Sequence, residues 1–147
     1  MHQRLLLGCI ISLLGGGLIY LGFRSDTLIL FDWISFIGLD HLIERLRFYT
    51  LPYAKYIPEW ILFSLPDGLW MFSYGCGICY LWRNKQSKQP HWWISLIALF
   101  ILSVEILQLL QITPGTFDPL DLVFYLLGAL LPLVFLIQKD NRWVASK

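Results

Sequence analysis

The chain has 147 residues, a formal net charge of +1 and only three cysteines. Hydrophobic residues make up 57% and charged residues 14%, whereas soluble domains average about 45–50% and about 25%. The low net charge excludes a strongly basic nucleic-acid-binding protein and a highly charged disordered chain, and three cysteines exclude a disulfide scaffold. Seven Trp, seven Tyr and ten Phe residues suit aromatic belts at membrane interfaces. This composition predicts an integral membrane protein.

Four continuous apolar runs are long enough to cross a membrane as helices. They cover residues 5–23, 60–82, 92–110 and 119–137, and a crossing helix needs roughly 20 apolar residues. We therefore predict an all-α polytopic membrane protein, a four-helix transmembrane bundle that forms a single domain over residues 1–147.

The first run has two alternative interpretations. Arg4 followed by leucines resembles the start of a signal peptide, and the run that ends at Cys9 resembles a lipid-attachment site. However, few apolar residues precede Cys9, and no small-residue cleavage site follows Phe23. We predict that this segment remains as the first membrane helix.

Residues 28–51 fit a membrane span poorly. Their apolar stretch is too short to cross and contains Asp32. Five polar residues follow it, namely Asp40, His41, Glu44, Arg45 and Arg47. Each charge costs about 2.5–3.5 kcal/mol at the centre of a membrane helix. Apolar residues at helical spacing instead predict an interfacial amphipathic helix between helices one and two, and a shallow re-entrant segment is the alternative.

The basic residues predict the orientation. The loop after the second run and the tail after the fourth carry Arg83, Lys85, Lys88, Lys139, Arg142 and Lys147. The loop over residues 111–121 carries no basic residue. Because basic loops stay in the cytoplasm, we predict that both termini are cytoplasmic and that residues 111–121 face outward.

Polar side chains gather near the predicted outer ends of the helices. The candidate functional cluster consists of Asp67, Glu105, Gln108, Asp118 and Asp121. The outer segment adds Asp40, His41 and Glu44 at the same level. Ionisable groups inside a membrane are energetically costly, so their presence there indicates a functional role.

Helix capping is the alternative explanation for several of these acids. Asp118 has the position of an N-cap with Asp121 as the third helical residue, and Ser64 and Asp67 have the same spacing. Glu105 lies inside helix three near its C-terminal end, where the helix dipole disfavours an acid. Capping therefore does not explain Glu105. The alternative to a functional role for Glu105 is a protonated carboxyl that bonds to a neighbouring helix.

Small residues recur at every fourth position in the first two predicted helices. They are Gly8, Ser12, Gly16, Ser73 and Gly77. Small residues at this spacing allow helices to approach closely. We predict that they form a helix-packing or dimerisation face.

Cys76 and Cys79 match the C-x-x-C pattern of redox dithiols. A redox pair requires a helix N-terminus that activates one thiol, whereas these cysteines lie well inside the second predicted helix. We predict that they serve packing. No His, Cys, Asp or Glu spacing resembles a metal site, so we expect neither a metal nor another cofactor.

The third and fourth predicted helices resemble the C-terminal signature of the VanZ-like family. That signature is approximately E-x-x-Q, then R-x-F-D-x-x-D, then N-x-x-G. The matching positions are Glu105, Gln108, Asp118, Asp121 and Gly128. Gly115 stands where the family often has Arg, and Tyr125 stands where it has Asn.

VanZ-like proteins are small polytopic bacterial membrane proteins, and the founding member is associated with low-level teicoplanin resistance. The resemblance implies an inner-membrane protein whose outward-facing cluster binds or acts on an envelope lipid, a lipid-linked precursor or an amphiphilic drug. No catalytic residue can be assigned, which favours binding over catalysis.

Two alternative functions follow from the predicted bundle. The chain could be a non-enzymatic accessory subunit that packs against a larger membrane complex, or a homo-oligomer, through its glycine faces. A small-molecule or proton-coupled transporter is less favoured, because four helices without an internal repeat are few for alternating access.

Overall fold

A computed structural model describes residues 2–82, 89–113 and 117–144, and it describes side chains from residue 3 to residue 134 within these ranges. The described chain is helical throughout its regular elements and contains no strand, as the continuous apolar runs predict. Its α-helices are α1 (His2–Phe23), α2 (Ile29–Phe36), α3 (Asp40–Thr50), α4 (Glu59–Phe63), α5 (Leu65–Leu81), α6 (Gln89–Leu109) and α7 (Pro119–Val144). A 3₁₀ helix, Leu51–Tyr56, follows α3 directly.

Two of these helices are long and apolar enough to cross a membrane. They are Gln3–Phe23, which is nearly all of α1, and Gln89–Leu109, which is α6. The described apolar part of α7, Pro119–Val134, is shorter. The apolar runs at residues 5–23 and 92–110 therefore lie in helices of sufficient length for a crossing.

The second apolar run is interrupted once. Pro66 has no backbone N–H, so the hydrogen bond to the residue four positions earlier is missing and the helix breaks between α4 and α5. Ser64 itself keeps helical dihedral angles of φ −93° and ψ −34°. Its N–H donates to the Trp60 carbonyl at 3.1 Å, and its carbonyl accepts from Gly68 N–H at 3.3 Å. The chain therefore continues in one direction through the break.

Helix α5 is the central helix, with α1 packed along one side and α7 along another. Its buried residues are Pro66, Gly68, Met71, Ser73, Gly75, Cys76 and Cys79. Helix α6 makes fewer contacts and lies against α7 and α5. The main core is formed by Leu5, Met71, Cys76, Cys79, Ile94 and Ala129.

The α5–α7 contact leaves no room for a side chain at three glycines, which are Gly68, Gly75 and Gly128. A Cβ atom on Gly128 would lie 2.4 Å from the carbonyl oxygen of Gly68. A Cβ atom on Gly75 would lie 2.7 Å from Cγ of Pro132. Real Cβ atoms do not approach heavy atoms this closely, so the spacing of the two helices depends on glycine.

The α1–α5 contact contains most of the small residues identified in the sequence. A Cβ atom on Gly16 would lie 2.7 Å from Nε1 of Trp70. Ser73 Oγ donates to the backbone carbonyl of Cys9 at 2.8 Å. Gly8 lies beside Cys76, and Gly77 lies beside Cys9. Ser12 is also buried, and its hydroxyl bonds back to the Gly8 carbonyl within α1.

The thiols of Cys76 and Cys79 are both buried and free. Cys79 Sγ lies 3.8 Å from the backbone carbonyl oxygen of Pro132, which it faces as a weak donor. The two thiols thus pack inside the helix bundle, away from any helix N-terminus.

Residues 28–51 form two helices where the sequence predicted one. Gly38 has a φ of +73°, a left-handed conformation that glycine adopts without strain. Its N–H bonds to Ser35, and the next N–H, that of Leu39, bonds to Ile34. This is the pattern of a Schellman C-cap, which ends α2 and redirects the chain into α3.

Helix α3 is fastened to the C-terminal end of α1. Arg47 Nη1 donates to the backbone carbonyl of Arg24 at 2.6 Å and faces that of Leu21 at 3.4 Å. Thr50 Oγ1 donates to the carbonyl of Gly22 at 2.8 Å. The last carbonyls of a helix lack intrahelical partners, so these bonds satisfy them.

Some residues of the predicted orientation, and Gly115 of the family resemblance, lie outside the described ranges. These are Arg83, Lys85, Lys88, Gly115, Thr116 and Lys147. The side chains of Lys139 and Arg142 also lie outside the described part of the chain.

The α5–α7 contact generates a prediction about stability. Gly128→Ala places a methyl group against the Gly68 carbonyl, and we expect it to lower the free energy of unfolding by about 1–3 kcal/mol. Gly17→Ala is the control, because its Cβ would meet nothing within 4 Å and alanine favours helix by about 0.5–1 kcal/mol. Thermal unfolding of both variants in detergent measures the difference, and equal midpoints would contradict this packing.

Candidate functional site

A group of polar side chains meets where four helices begin or end. We name it the polar cluster, and it consists of Arg24, Ser64, Asp67, Glu105, Asp118, Asp121 and Tyr125. Arg24 follows α1, Ser64 and Asp67 begin α5, Glu105 lies in the last turns of α6, and the other three surround the start of α7. Four of the five acids and amides that the sequence identified are therefore close together.

Asp67 lies between α1 and α7. It interacts electrostatically with Arg24, and the Tyr125 hydroxyl is its hydrogen-bonding neighbour. Asp121 and Glu105 also lie within electrostatic range of this carboxyl. Asp67 thus connects the end of α1 to the first turns of α7.

Glu105 is almost completely buried, with 6% of its surface exposed. The backbone N–H of Asp118 is its hydrogen-bonding neighbour, which links the end of α6 to the start of α7. The positive end of the α7 dipole favours a carboxylate beside the start of α7, which offsets the unfavourable position of Glu105 near the C-terminal end of α6. The second carboxyl oxygen of Glu105, Oε2, is buried without a hydrogen-bond partner.

Asp118 caps α7, as one of the two interpretations predicted. Its Oδ1 accepts from the N–H of Leu120 at 2.8 Å, and its carbonyl accepts from the N–H of Asp121 at 3.1 Å. Asp121 has a different environment. Its Oδ1 is buried and makes no hydrogen bond, so this oxygen does not complete a reciprocal capping box.

Ser64 does not cap α5, although its spacing to Asp67 predicts a cap. Its backbone is already helical, because α4 leads directly into it, and no side-chain cap bond forms. The fully buried Ser64 hydroxyl instead faces the carboxyl of Asp121 without forming a hydrogen bond of ordinary geometry.

Arg24 and Tyr125 are members of the polar cluster that sequence reasoning missed, and Arg24 is the one basic group among them. The Arg24 guanidinium interacts electrostatically with Asp67 and Asp121. It also lies over two aromatic rings, 5.0 Å from the centroid of Phe63 and 5.6 Å from that of Tyr20. The available signal was its position directly after the first apolar run, at the same predicted depth as the acids.

Other residues in the sequence prediction lie outside the polar cluster. Gln108 is half-buried one turn after Glu105 on α6. Asp40 accepts a hydrogen bond from Ser35. His41 and Glu44 are exposed, and His41 Nδ1 lies 3.7 Å from Glu44 Oε2. These three residues of α3 therefore interact with near neighbours in the sequence.

The polar cluster concentrates unsatisfied hydrogen-bonding groups. Five buried side-chain nitrogen or oxygen atoms lack a partner among the described residues, and Thr113 holds the one outside the cluster. The others are Arg24 Nε, Ser64 Oγ, Glu105 Oε2 and Asp121 Oδ1. An unpaired buried polar group costs about 1–3 kcal/mol, so this concentration makes the polar cluster the candidate functional site. Within the described ranges, no group of His, Cys, Asp and Glu side chains is arranged to hold a metal ion.

The fold and the site define a class of helical protein, in which helix ends converge on a buried, acid-rich polar cluster. Comparison of the chain with family models, curated proteins and solved structures finds no match.

The observed cap on α7 generates a second prediction. Asp118→Ala removes the acceptor for Leu120 N–H and should lower the free energy of unfolding by about 0.5–2 kcal/mol, whereas Asp118→Asn should retain stability because Asn caps equally well. Denaturant unfolding in detergent compares the two variants. If Asn is as destabilising as Ala, the negative charge of Asp118 matters to the fold more than its capping bond.

Proposed function

We propose that the chain is a VanZ-like, multi-pass protein of the bacterial inner membrane. In this proposal the polar cluster opens to the outer face and binds or acts on an envelope lipid, a lipid-linked precursor or an amphiphilic drug. The observation that carries the proposal is the set of buried, unpaired polar atoms where four helix ends meet.

The apolar outer surfaces of the helices support a membrane location. Four large apolar side chains on these surfaces are each 60–66% exposed, namely Ile11 and Leu14 of α1 and Leu99 and Phe100 of α6. Apolar surface in water costs roughly 25 cal/mol per Å², and lipid would cover these faces without that cost. Broad apolar surfaces of this kind are typical of membrane interaction sites.

The helix ends support four antiparallel spans. Residues 59–81 are helical on both sides of Ser64, so α4 and α5 together would form the second span and α7 the fourth. The polar cluster joins the C-terminal ends of α1 and α6 to the N-terminal ends of α5 and α7. Four spans of alternating direction place these ends on one side of the membrane.

The segment over α2 and α3 suits the outer interface of this bundle. It is fastened to the end of α1 that carries the polar cluster. Its exposed aromatic residues, and those of the following 3₁₀ helix, are Trp33, Phe36, Phe48, Tyr49, Tyr53 and Tyr56. Aromatic residues are enriched at the level of the lipid headgroups.

The family resemblance agrees with the position of the polar cluster. Glu105, Asp118 and Asp121 match the VanZ-like signature, and all three belong to the cluster. The sequence has Gly115 where the family often has Arg. Arg24, directly after α1, brings a positive charge within electrostatic range of Asp67 and Asp121 despite that difference.

The alternative function is that of a non-enzymatic accessory subunit. Only 11% of the apolar window of α6 is buried within the chain, so a partner helix could cover its outer face. Under this alternative the polar cluster would serve contacts between subunits.

The predicted orientation can be tested with single cysteines. Lys85→Cys and Thr116→Cys, each in a background without Cys9, Cys76 and Cys79, should label from opposite sides of the membrane. Lys85→Cys should react from the cytoplasm, because its loop is basic. A membrane-impermeant thiol reagent applied to whole cells and to opened cells measures this, and labelling of both positions from outside would reject the orientation.

The binding proposal can be tested on protein purified from bacterial membranes in mild detergent. Native mass spectrometry should detect a retained lipid or lipid-linked molecule, and Glu105→Gln should release it while the protein stays folded. Glu44→Gln is the matched control, because Glu44 is exposed and lies outside the polar cluster. Retention of a second polypeptide, unchanged in Glu105→Gln, would favour the accessory subunit instead.

A further inference from the structure

The polar cluster has an excess of acidic groups over basic ones. Its carboxyl groups are those of Asp67, Glu105, Asp118 and Asp121, and its one guanidinium is that of Arg24. Arg24 lies near Asp67 and Asp121, and its charge is shared between them. A positively charged ligand would therefore balance this excess of carboxyl groups.

The unpaired atoms also specify the hydrogen-bonding groups of the ligand. Among the described residues, the Tyr125 hydroxyl is the donor to Asp67, and the Leu120 N–H is the donor to Asp118. Glu105 Oε2 and Asp121 Oδ1 remain without a donor, and both are buried. Ionised carboxylates only accept hydrogen bonds, so a ligand with N–H donors would complete the bonding of these two oxygens in their ionised form.

Ser64 adds a third acceptor to the same place. Its side chain is fully buried, its hydroxyl has no partner, and it faces Asp121. The cluster thus holds three buried oxygen atoms without a hydrogen bond of ordinary geometry, one at the start of α5, one on α6 and one on α7. Each can accept a hydrogen bond, and a primary ammonium group has three N–H donors. A phosphate group offers acceptors, and among the described residues the cluster has one unpaired donor, Arg24 Nε, against three unpaired oxygens.

Apolar side chains lie next to these acceptors. Trp60 is one helical turn before Ser64, and Phe124 is one turn after Asp121. Their rings stack with a centroid distance of 5.7 Å, and Trp60 remains 43% exposed. A hydrocarbon chain attached to the ammonium group would leave the cluster along this apolar surface.

We propose that the polar cluster binds the primary ammonium group of an amphiphile, with Glu105, Asp121 and Ser64 accepting its three N–H bonds. This inference rests on the proposed function, because it names the chemical class of the ligand for the same site. It distinguishes primary amines from anionic headgroups, and from quaternary ammonium groups, which have the charge without N–H donors.

The test uses the full-length protein in detergent and three lipids with the same dioleoyl tails. Native mass spectrometry measures the binding of phosphatidylethanolamine, phosphatidylcholine and phosphatidylglycerol. We expect phosphatidylethanolamine to bind about tenfold or more tightly than either of the others, as the loss of a charge-assisted hydrogen bond implies. Equal or tighter binding of phosphatidylglycerol would overturn the assignment.

Matched variants connect any preference to the polar cluster. Glu105→Gln, Asp121→Asn and Ser64→Ala should each weaken phosphatidylethanolamine binding, the two carboxyl variants by about tenfold or more. Glu44→Gln, on the exposed face of α3, should leave binding unchanged. Thermal unfolding of each variant separates loss of binding from loss of fold, and full binding by folded Glu105→Gln and Asp121→Asn would overturn the assignment.

Competition experiments test whether the bound primary amine belongs to an amphiphile or to a small soluble molecule. Dodecylamine should displace bound phosphatidylethanolamine, and free ethanolamine should do so only weakly if the hydrocarbon chain contributes. Displacement by ethanolamine at equal concentration would assign the site to a small soluble amine and reject the amphiphile. Binding of phosphatidylglycerol alone, lost in Glu105→Gln, would preserve the proposed function and reject the ammonium assignment, whereas cluster-independent binding of every lipid would reject both.

Discussion

The close approach of α5 and α7 at Gly68 and Gly128 is the constraint on which the arrangement depends. A single methyl group on Gly128 would come within 2.4 Å of the Gly68 carbonyl, so the helices pack with their backbones nearly in contact. Because Asp67 and Asp121 precede these glycines by one and seven residues, the same contact brings the two carboxyls together at the helix starts. Packing and site geometry thus have one cause.

Two arginines organise the end of α1 in different ways. The Arg47 side chain holds the Arg24 backbone carbonyl, which fastens α3 to α1 and satisfies a helix end. The Arg24 side chain is directed to the acids and lies over Phe63. The first arginine therefore contributes to the fold, while the second contributes charge to the polar cluster. A planar guanidinium suits both tasks, since it stacks on rings and donates in several directions.

Several features of the polar cluster could be predicted from the sequence because charge inside an apolar run is conspicuous. Glu105 and Asp67 stand out in this way, and the Asp118 cap follows from its position before Pro119. Arg24, Ser64 and Tyr125 could not be identified equally well. Each is ordinary in its own segment, and its role depends on which helices are neighbours. The break between α2 and α3 was marked by Gly38, but only a positive φ distinguishes a C-cap from a tolerated glycine.

The sequence by itself determined that the chain is helical and apolar, and it determined at what height along each helix the carboxyl groups lie. These properties are local, because length, hydropathy and spacing along one helix suffice to establish them. Only the tertiary structure decided that α5 is central, that Arg24 meets Asp67 and Asp121, and that three acceptors from different helices remain unpaired. Those facts depend on which helix faces pack together. The steric fit between glycines and side chains that are distant in the sequence determines which faces these are.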